Sequence, residues 1–236
     1  MIKEAIILAG GLGTRLRSVV AELPKCMANV AGKPFLYYVI KQLQKQGIEK
    51  FIFSLGYKHE VIEAYIAAEF ATLNATFVIE QEPLGTGGAI KLACTKATEK
   101  NVLVLNGDTM FSIDIQKLAA AHISFGADCT LSLKPMQHFD RYGVVELNAD
   151  DTIASFKEKQ FYEKGLINGG IYALQTQQFL QEAFPEKFSF EKDYLEKYLR
   201  QRKMYGNVQD AYFIDIGIPE DYQRAQIEFS YNNIIT

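Results

Sequence analysis

The stretch LAGGLGTRL, residues 8–16, decides the fold, because it ends an apolar run and begins a glycine-rich loop. The run is AIILA at residues 5–9, and its length and composition are typical of a strand buried on both faces. Gly10, Gly11 and Gly13 follow it. Glycines let backbone N–H groups approach an anion without a Cβ in the way, so the loop is a candidate phosphate site. A strand that ends in such a loop is typical of α/β nucleotide-binding proteins.

Two common phosphate-binding loops do not match this stretch. The dinucleotide fingerprint has Leu16 at its third glycine, and the acidic residue that it needs about 20 residues further on is absent. The P-loop string ending in Gly-Lys-Ser/Thr does not occur. What remains is Gly-Gly-x-Gly-Thr-Arg-Leu, followed by Pro24 and Lys25. Arg15 can bind two phosphate oxygens and Lys25 adds a point charge, although a plain glycine turn with two solvated cations is the alternative.

Composition narrows the class of protein. The 236 residues are 48% apolar with a net charge of −3, which predicts a globular core and gives no electrostatic basis for binding nucleic acid or a membrane surface. No apolar run approaches the ~20 residues of a membrane span, and the start MIKEAII does not resemble a signal peptide. Cys26, Cys94 and Cys129 predict reduced thiols. We therefore expect a cytoplasmic protein, as a monomer or a homo-oligomer.

The order of predicted elements indicates an α/β sheet. Strands are predicted at residues 5–9, 51–55, 76–79 and 102–105, alternating with helices at 33–46, 59–70, 88–97 and 115–122. This alternation predicts a mostly parallel sheet covered by helices. The rest of the chain predicts strands at 129–133, 143–147, 152–156, 170–174 and 212–216, with helices at 179–184, 194–203 and 219–229. Because no linker or repeat interrupts the pattern, we expect one domain, residues 1–236, with approximate halves 1–125 and 126–236.

Three polar stretches follow predicted strands at their carboxyl ends. They are residues 10–15, 81–88 and 106–108. Ligands of open parallel sheets bind beyond these ends of the strands. We therefore expect the three stretches to form one site.

These motifs together resemble those of the sugar-phosphate nucleotidyltransferases, which join a sugar 1-phosphate to a nucleoside triphosphate and release pyrophosphate. The resemblance rests on residues 11–16 with Pro24 and Lys25, QEPLGTGGA at 81–89, NGD at 106–108, FKEK at 156–159, LINGGIY at 166–172 and YFIDIG at 212–217. It implies a three-layer, Rossmann-like α/β nucleotide-diphospho-sugar transferase fold with a mixed, mostly parallel central sheet. It also implies GTP and a heptose 1-phosphate as substrates, with mannose or glucose 1-phosphate and UTP or dTTP as alternatives.

The resemblance assigns roles to individual residues, with the nucleotide in the first half and the sugar phosphate in the second. The implied nucleotide-binding residues are Leu8, Ala9, Gly10, Gly11, Gly13, Thr14, Arg15, Lys25, Gln81, Gly85 and Thr86. The implied sugar-phosphate-binding residues are Asn106, Gly143, Glu158, Lys159, Asn168 and Gly169. Asp108 and Asp215 are the implied ligands of a Mg²⁺ cofactor. Arg15, Lys25 and Asp108 are the implied catalytic residues.

Two of these residues are candidates for the site on the sequence alone, without the resemblance to the family. Asp215 is a lone acid in an apolar strand, where an unpaired carboxylate would be costly, so it needs a cation, hydrogen bonds or a buried salt bridge. Asp114 is better placed than Asp108 to cap the next helix, which leaves Asp108 available for another role. A nucleotide-binding regulator without turnover is the alternative from another class. A site with two metal-binding acids argues against it, because a sensor does not need one.

Overall fold

The structure is a computed structural model, and it describes residues 1–11 and 23–231. The strands are β1 (Glu4–Leu8), β2 (Asn29–Val30), β3 (Lys33–Pro34), β4 (Lys50–Leu55), β5 (Asn74–Ile79), β6 (Asn101–Asn106), β7 (Thr109–Phe111), β8 (Cys129–Phe139), β9 (Val144–Leu147), β10 (Ile153–Lys157), β11 (Tyr162–Gln175), β12 (Met204–Val208) and β13 (Phe213–Asp215). The α-helices are α1 (Phe35–Lys45), α2 (His59–Glu69), α3 (Gly85–Cys94), α4 (Ile115–Phe125), α5 (Thr176–Gln181) and α6 (Pro219–Tyr231). A 3₁₀ turn at Lys25–Met27 and a π-helical segment at Phe190–Glu196 complete the described elements.

The central sheet is mixed, with the order β10-β9-β11-β6-β1-β4-β5 and with β8 joining β11 to β12. Strands β6, β1, β4 and β5 are parallel, whereas β11 pairs antiparallel with both β6 and β8. From β1 the chain moves to β4 and β5 on one side and then returns to β6 on the other. The strand order therefore reverses at β1, and the carboxyl end of β1 is the place where open α/β sheets bind ligands.

Apolar side chains on both faces of the sheet form two core clusters. Ile6 and Ile7 are adjacent in β1 and fully buried, yet they belong to different clusters, because successive strand residues point to opposite faces. Helices α1, α2, α4 and α6 contribute to the cluster of Ile7, and α3 and α5 to that of Ile6. The three-layer α/β fold expected from the sequence is confirmed. None of the helices in the described ranges has both the length and the apolarity that crossing a membrane requires.

The second half differs more from the sequence-based prediction than the first. Strands β8 and β11 run for 11 and 14 residues, which is more than twice their predicted lengths, because they pair with each other along most of that length. The helix predicted at 194–203 begins earlier and ends sooner in the structure, where helical turns cover residues 190–198. The chain there forms the π-helical segment, whose Phe190, Tyr194 and Leu195 are buried, and then strand β12, which pairs with β8.

Strand β13 does not join the central sheet. It pairs antiparallel with β7 in a separate two-stranded ribbon, in which Asp215 lies opposite Thr109. Thr109 follows Asp108 directly in the chain, and the N–H of Ile216 donates to the carbonyl of Asp108 at 3.1 Å. The ribbon therefore brings a residue from the end of the chain to the carboxyl end of β6.

Candidate active site

A cleft of about 860 Å³ lies at the carboxyl ends of β1, β5 and β6. Its lining includes residues from all three polar stretches that the sequence analysis placed at strand ends. They are Gly10 and Gly11 after β1, Gln81, Gly85 and Thr86 after β5, and Asn106 and Asp108 at the end of β6. Lys25 and Asp215 also line the cleft. Gly13, Thr14 and Arg15 lie outside the described residues.

Lys25 lies between the two acids that were candidate metal ligands. Its Nζ is 2.5 Å from Oδ2 of Asp108 and 3.3 Å from Oδ1 of Asp215. Lys25 begins the 3₁₀ turn directly after Pro24, so it reaches the cleft from a short rigid segment. Asp114 caps α4 by accepting from the N–H of Lys117 at 2.9 Å, as expected, which leaves Asp108 to pair with Lys25. Residues far apart in sequence thus form one charged centre.

In this centre both acids favour the charged form of Lys25, whereas the two carboxylates oppose each other. Burial alone would lower the pKa of Lys25, but the nearby charges of Asp108 and Asp215 outweigh it and raise that pKa above its ordinary value. For Asp215, burial raises the pKa and the negative charge of Asp108 raises it further, against the opposing effect of Lys25. Lys25 is therefore held as an ammonium. Two carboxylates and one ammonium leave an excess of one negative charge in the cleft.

Gly217 is a member of the site that the sequence analysis missed. A Cβ at this position would come within 2.9 Å of both Oδ1 of Asp215 and Nζ of Lys25. Its N–H also donates to Oδ1 of Asp215 at 2.8 Å, which fixes that carboxylate. The string YFIDIG does contain a signal for this role of Gly217, because a glycine two residues after a lone acid lets other side chains approach that acid closely.

The donor set at this centre fits a magnesium ion. Within residues 1–11 and 23–231, no group of three or more Asp, Glu, His or Cys side chains could hold a metal, and the two carboxylates at this centre are those of Asp108 and Asp215. Mg²⁺ is commonly held by one or two carboxylates, with substrate phosphate oxygens and water completing its shell. The negative excess of the two acids over Lys25 suits a dication.

The loop that follows β1 lies close to the loop that follows β4. Leu8, Ala9, Gly10 and Gly11 all line the cleft. A Cβ on Gly10 would lie 3.1 Å from the backbone nitrogen of Gly56, so the loops after β1 and β4 approach each other closely. The N–H of Ala9 donates to the carbonyl of Ser54 at 2.9 Å, and Gly10 and Gly11 line the cleft at the point where the strand order reverses.

The loop after β5 is held by a segment from the second half of the chain. The N–H of Phe190 donates to Oγ1 of Thr86 at 2.9 Å, and the N–H of Gly87 donates to the carbonyl of Phe188. Gly85 has φ +71°, and a Cβ there would lie 2.6 Å from the carbonyl oxygen of Phe188. Helix α3 starts at Gly85 and not at residue 88 as predicted. Gln81 remains exposed in the cleft.

The predicted sugar-phosphate residues are only partly brought to the cleft. Asn106 lines it and lies against Gly170, where a Cβ would be 3.1 Å from Nδ2 of Asn106. Asn168 accepts from the N–H of Gly170 at 3.1 Å and donates to the hydroxyl of Tyr172 at 2.8 Å. A chain of contacts therefore connects Asn168 to the cleft through Gly170 and Asn106.

The other four candidates of this group do not line the cleft. Glu158 and Lys159 are exposed in the loop after β10. Gly143 and Gly169 have packing reasons to be glycine, because an added Cβ would lie 2.5 Å from the carbonyl of Lys157 and 2.3 Å from the ring of Phe111, respectively. Their assignment to a sugar site stays a prediction.

The fold and the charged cleft define a nucleotidyltransferase, and the chain belongs to the nucleotidyl transferase family, whose model matches residues 4–230. Among named relatives, it is 55% identical to D-glycero-α-D-manno-heptose 1-phosphate guanylyltransferase of Aneurinibacillus thermoaerophilus, over 97% of this chain and 99% of that protein. It is 48% identical to the protein of the same name from Campylobacter jejuni subsp. jejuni serotype O:2, over 93% of this chain and 96% of that one. The resemblance inferred from the motifs is confirmed.

The crystal structure of HddC from Yersinia pseudotuberculosis complexed with GMP-PN is similar in fold, with a TM-score of 0.87 and 40% identity. The similarity covers 97% of this chain and all of that one. The central sheet, its flanking helices and the additional antiparallel strands are therefore a shared architecture.

Proposed function

We propose that the protein transfers GMP from GTP to D-glycero-α-D-manno-heptose 1-phosphate and releases pyrophosphate. The observation that carries the chemistry is Lys25, held between Asp108 and Asp215 at the carboxyl end of the sheet. The choice of heptose and GTP is supported by the names of the two relatives that align over nearly their full lengths. We also propose a cytoplasmic location, supported by Cys26, Cys94 and Cys129, which are buried free thiols in the described part of the chain.

The reaction needs no nucleophile from the protein. A phosphate oxygen of the sugar 1-phosphate attacks the α-phosphorus of GTP, and pyrophosphate leaves on the opposite side. The barrier comes from bringing two anions together in line, so positioning and fixed positive charge supply the rate enhancement. Lys25 is placed at the α-phosphate. The amides of Gly10 and Gly11, with Gly13, Thr14 and Arg15, are assigned to the β- and γ-phosphates.

Asp108 and Asp215 would hold Mg²⁺. When bound, the ion neutralises phosphate charge that the protein's own cations do not. Lys25 then has two roles. It binds a phosphate oxygen, and its positive charge offsets the repulsion between the carboxylates of Asp108 and Asp215. Gly217 maintains the space in which these three side chains meet.

The sugar phosphate is assigned to the second half. Lys159 would pair with the phosphate, Glu158 and Asn168 would bind hydroxyls, and Gly143 and Gly169 would allow close approach. The exposed Glu158 and Lys159 are accessible to a ligand, and Asn168 contacts the cleft lining through Gly170 and Asn106. These contacts support the assignment.

A substrate panel tests the proposal. ATP, GTP, CTP, UTP and dTTP are each offered with heptose, mannose or glucose 1-phosphate, and pyrophosphate release is measured. The greatest kcat/KM is expected for GTP with the heptose 1-phosphate. A preference for mannose or glucose 1-phosphate, or for UTP or dTTP, would replace the proposed substrates. Nucleotide binding without turnover in every combination would favour the regulator.

A further inference from the structure

Glu191 is a carboxylate beside the candidate sugar-phosphate residues, and the reaction above does not use it. It lies in the π-helical segment, and its Oε1 is 3.4 Å from Nδ2 of Asn168. Asn168 is connected to the cleft through Gly170 and Asn106, so Glu191 borders the region to which the sugar phosphate is assigned. In the part of the chain that the structure describes, Glu191 takes part in no ion pair. Its carboxylate oxygens therefore retain lone pairs with which to accept from a ligand.

The residue directly before Glu191 fixes its position. The N–H of Phe190 donates to Oγ1 of Thr86 at 2.9 Å, and the rings of Phe190 and Tyr172 have their centroids 5.0 Å apart. The hydroxyl of Tyr172 in turn accepts from Nδ2 of Asn168 at 2.8 Å. Glu191 and Asn168 are therefore held side by side by contacts with buried neighbours.

The surroundings of Glu191 form an open concavity. Glu191 is exposed, Asn168 is half-buried and Tyr172 is buried, so the three side chains lead from the surface inwards. The protein atoms that surround Glu191 nevertheless raise the pKa of its carboxyl group by desolvation, against the opposing charge of Lys159. A carboxylate that solvent reaches while protein surrounds it lies in a pocket open to solvent, and Lys159 is close enough for its charge to act there.

The proposed heptose carries a polar group that suits such a carboxylate. Its C5 bears an exocyclic tail with adjacent hydroxyls on C6 and C7, whereas mannose has a single hydroxyl in that place. C5 and C1 are both bonded to the ring oxygen, so the tail leaves the ring at an edge next to the phosphate. With the phosphate at Lys159, a carboxylate near Lys159 is on the side of that edge. The two oxygens of one carboxylate can accept from two adjacent hydroxyls at once.

We propose that Glu191 selects the seven-carbon sugar by accepting hydrogen bonds from the hydroxyls on C6 and C7. Because it assigns a part of the sugar, this inference rests on the proposed use of heptose 1-phosphate. A six-carbon sugar would satisfy one of these hydrogen bonds and leave the other unmade. Selectivity follows from that difference in affinity, which is large when the acceptor is charged.

The test compares heptose 1-phosphate with mannose 1-phosphate in pyrophosphate release from GTP. For the unmodified enzyme we expect kcat/KM to favour the heptose by about 10- to 100-fold, as for a hydrogen bond to a charged group. In Glu191→Gln this ratio should fall by about 10-fold or more, through a higher KM for the heptose. KM for GTP and KM for mannose 1-phosphate should change by less than about threefold. The side-chain oxygen of Gln can still accept from Asn168, and the exposed position tolerates the change.

Glu196→Gln is the matched control, because it neutralises an exposed carboxylate at the end of the same segment. Its negative charge acts on Glu191, so this variant also shows what the loss of a nearby charge does by itself. It should keep the preference for the heptose.

Three results would overturn the inference while the proposed function stands. They are a preference for the heptose that is retained in Glu191→Gln, an equal loss for both sugars in that variant, and a similar loss of preference in Glu196→Gln. The first would mean that Glu191 serves only the start of its segment. Preference of the unmodified enzyme for mannose 1-phosphate would instead remove the proposed function, and the inference with it.

Discussion

The two halves of the molecule build their share of the cleft in different ways. In residues 1–125 the candidate residues other than Lys25 lie at or shortly after the ends of parallel strands, and every described nucleotide candidate lines the cleft. In residues 126–236 the strands are long and mostly antiparallel, and of the candidates there only Asp215 lines it. Parallel strands deliver adjacent loops to one edge of the sheet, whereas the second half depends on strand register and on the separate β7–β13 ribbon. Short-range patterns are therefore more informative about the first half.

The largest effect is expected from changes to the charged centre of Lys25, Asp108 and Asp215, where the two halves of the molecule meet. Lys25→Ala or Asp108→Ala should reduce kcat by at least about 100- to 1,000-fold, because each removes preorganised charge at the reacting phosphate. Steady-state pyrophosphate release measures the loss, and circular dichroism checks that the fold is intact. Near-normal turnover in either folded variant would reject the assignment.

Gly217→Ala tests the contribution of the second half to that centre. The new Cβ would displace Lys25 or Asp215, so we expect kcat to fall by about 10- to 100-fold from misplacement of these groups. Gly206→Ala is the comparison, because its Cβ would collide with Leu133 and Leu147 in the core of the second half. That variant should lower the melting temperature and leave kcat of the folded fraction close to normal. The same pattern in Gly217→Ala would mean that Gly217 serves packing alone.

Lys159→Ala asks whether the exposed loop of the second half binds the sugar phosphate. Losing one hydrogen bond to a charged group should raise KM for heptose 1-phosphate by roughly 10-fold or more, with KM for GTP unchanged. Lys164→Ala is the control, since Lys164 is also exposed and lies on the adjoining strand β11. If both variants behave alike, Lys159 is not a specific ligand.

The smallest effect on turnover concerns His122, which connects the halves. Its Nδ1 lies 3.0 Å from Oγ1 of Thr130 in β8, and its Nε2 lies 3.2 Å from Oδ1 of Asn101 in β6. Burial lowers its pKa from 6.5 to about 4, so between these values the unfolded chain binds the proton more readily than the folded one. Its stabilising contribution is present above pH 6.5 and falls by about 2 kcal/mol at pH 5.

Urea unfolding at pH 7 and pH 5 measures this change. His122→Gln has no titrating group there, so its free energy of unfolding should depend less on pH by about the same 2 kcal/mol. An equal pH dependence in both proteins would show that His122 is not the responsible group. Activity at pH 7 should be close to normal in the variant that folds.

Much of the first half was predictable because its signals are local. The apolar runs before residues 10, 81 and 106 predicted buried strands, and the polar residues after them predicted one shared edge. Helix α1 follows its predicted bounds closely, since Phe35, Val39 and Leu43 recur at helical spacing and are buried. The start of α3 was predicted too late, because the glycines at 85, 87 and 88 indicated a loop. In the structure they allow contact with Phe188 and Glu186.

Less of the second half was predictable because its contacts are distant in sequence. Nothing local to Asp215 shows that Thr109 is its register partner or that Lys25 lies between the two acids. The helical turns at 190–198, in which Phe190, Tyr194 and Leu195 are buried, likewise begin four residues before the helix predicted at 194–203.

The sequence by itself determined the class of fold, the strands that end in polar loops, and the identity of the two acids and the lysine. Those features follow from hydrophobic periodicity and from the chemistry of individual residue types, which any chain carries with it. Only the tertiary structure decided that β13 leaves the central sheet to pair with β7, and that Gly217 leaves the space in which Lys25 meets Asp215. Register and close approach depend on pairing between distant segments, and a linear pattern does not specify which segments meet.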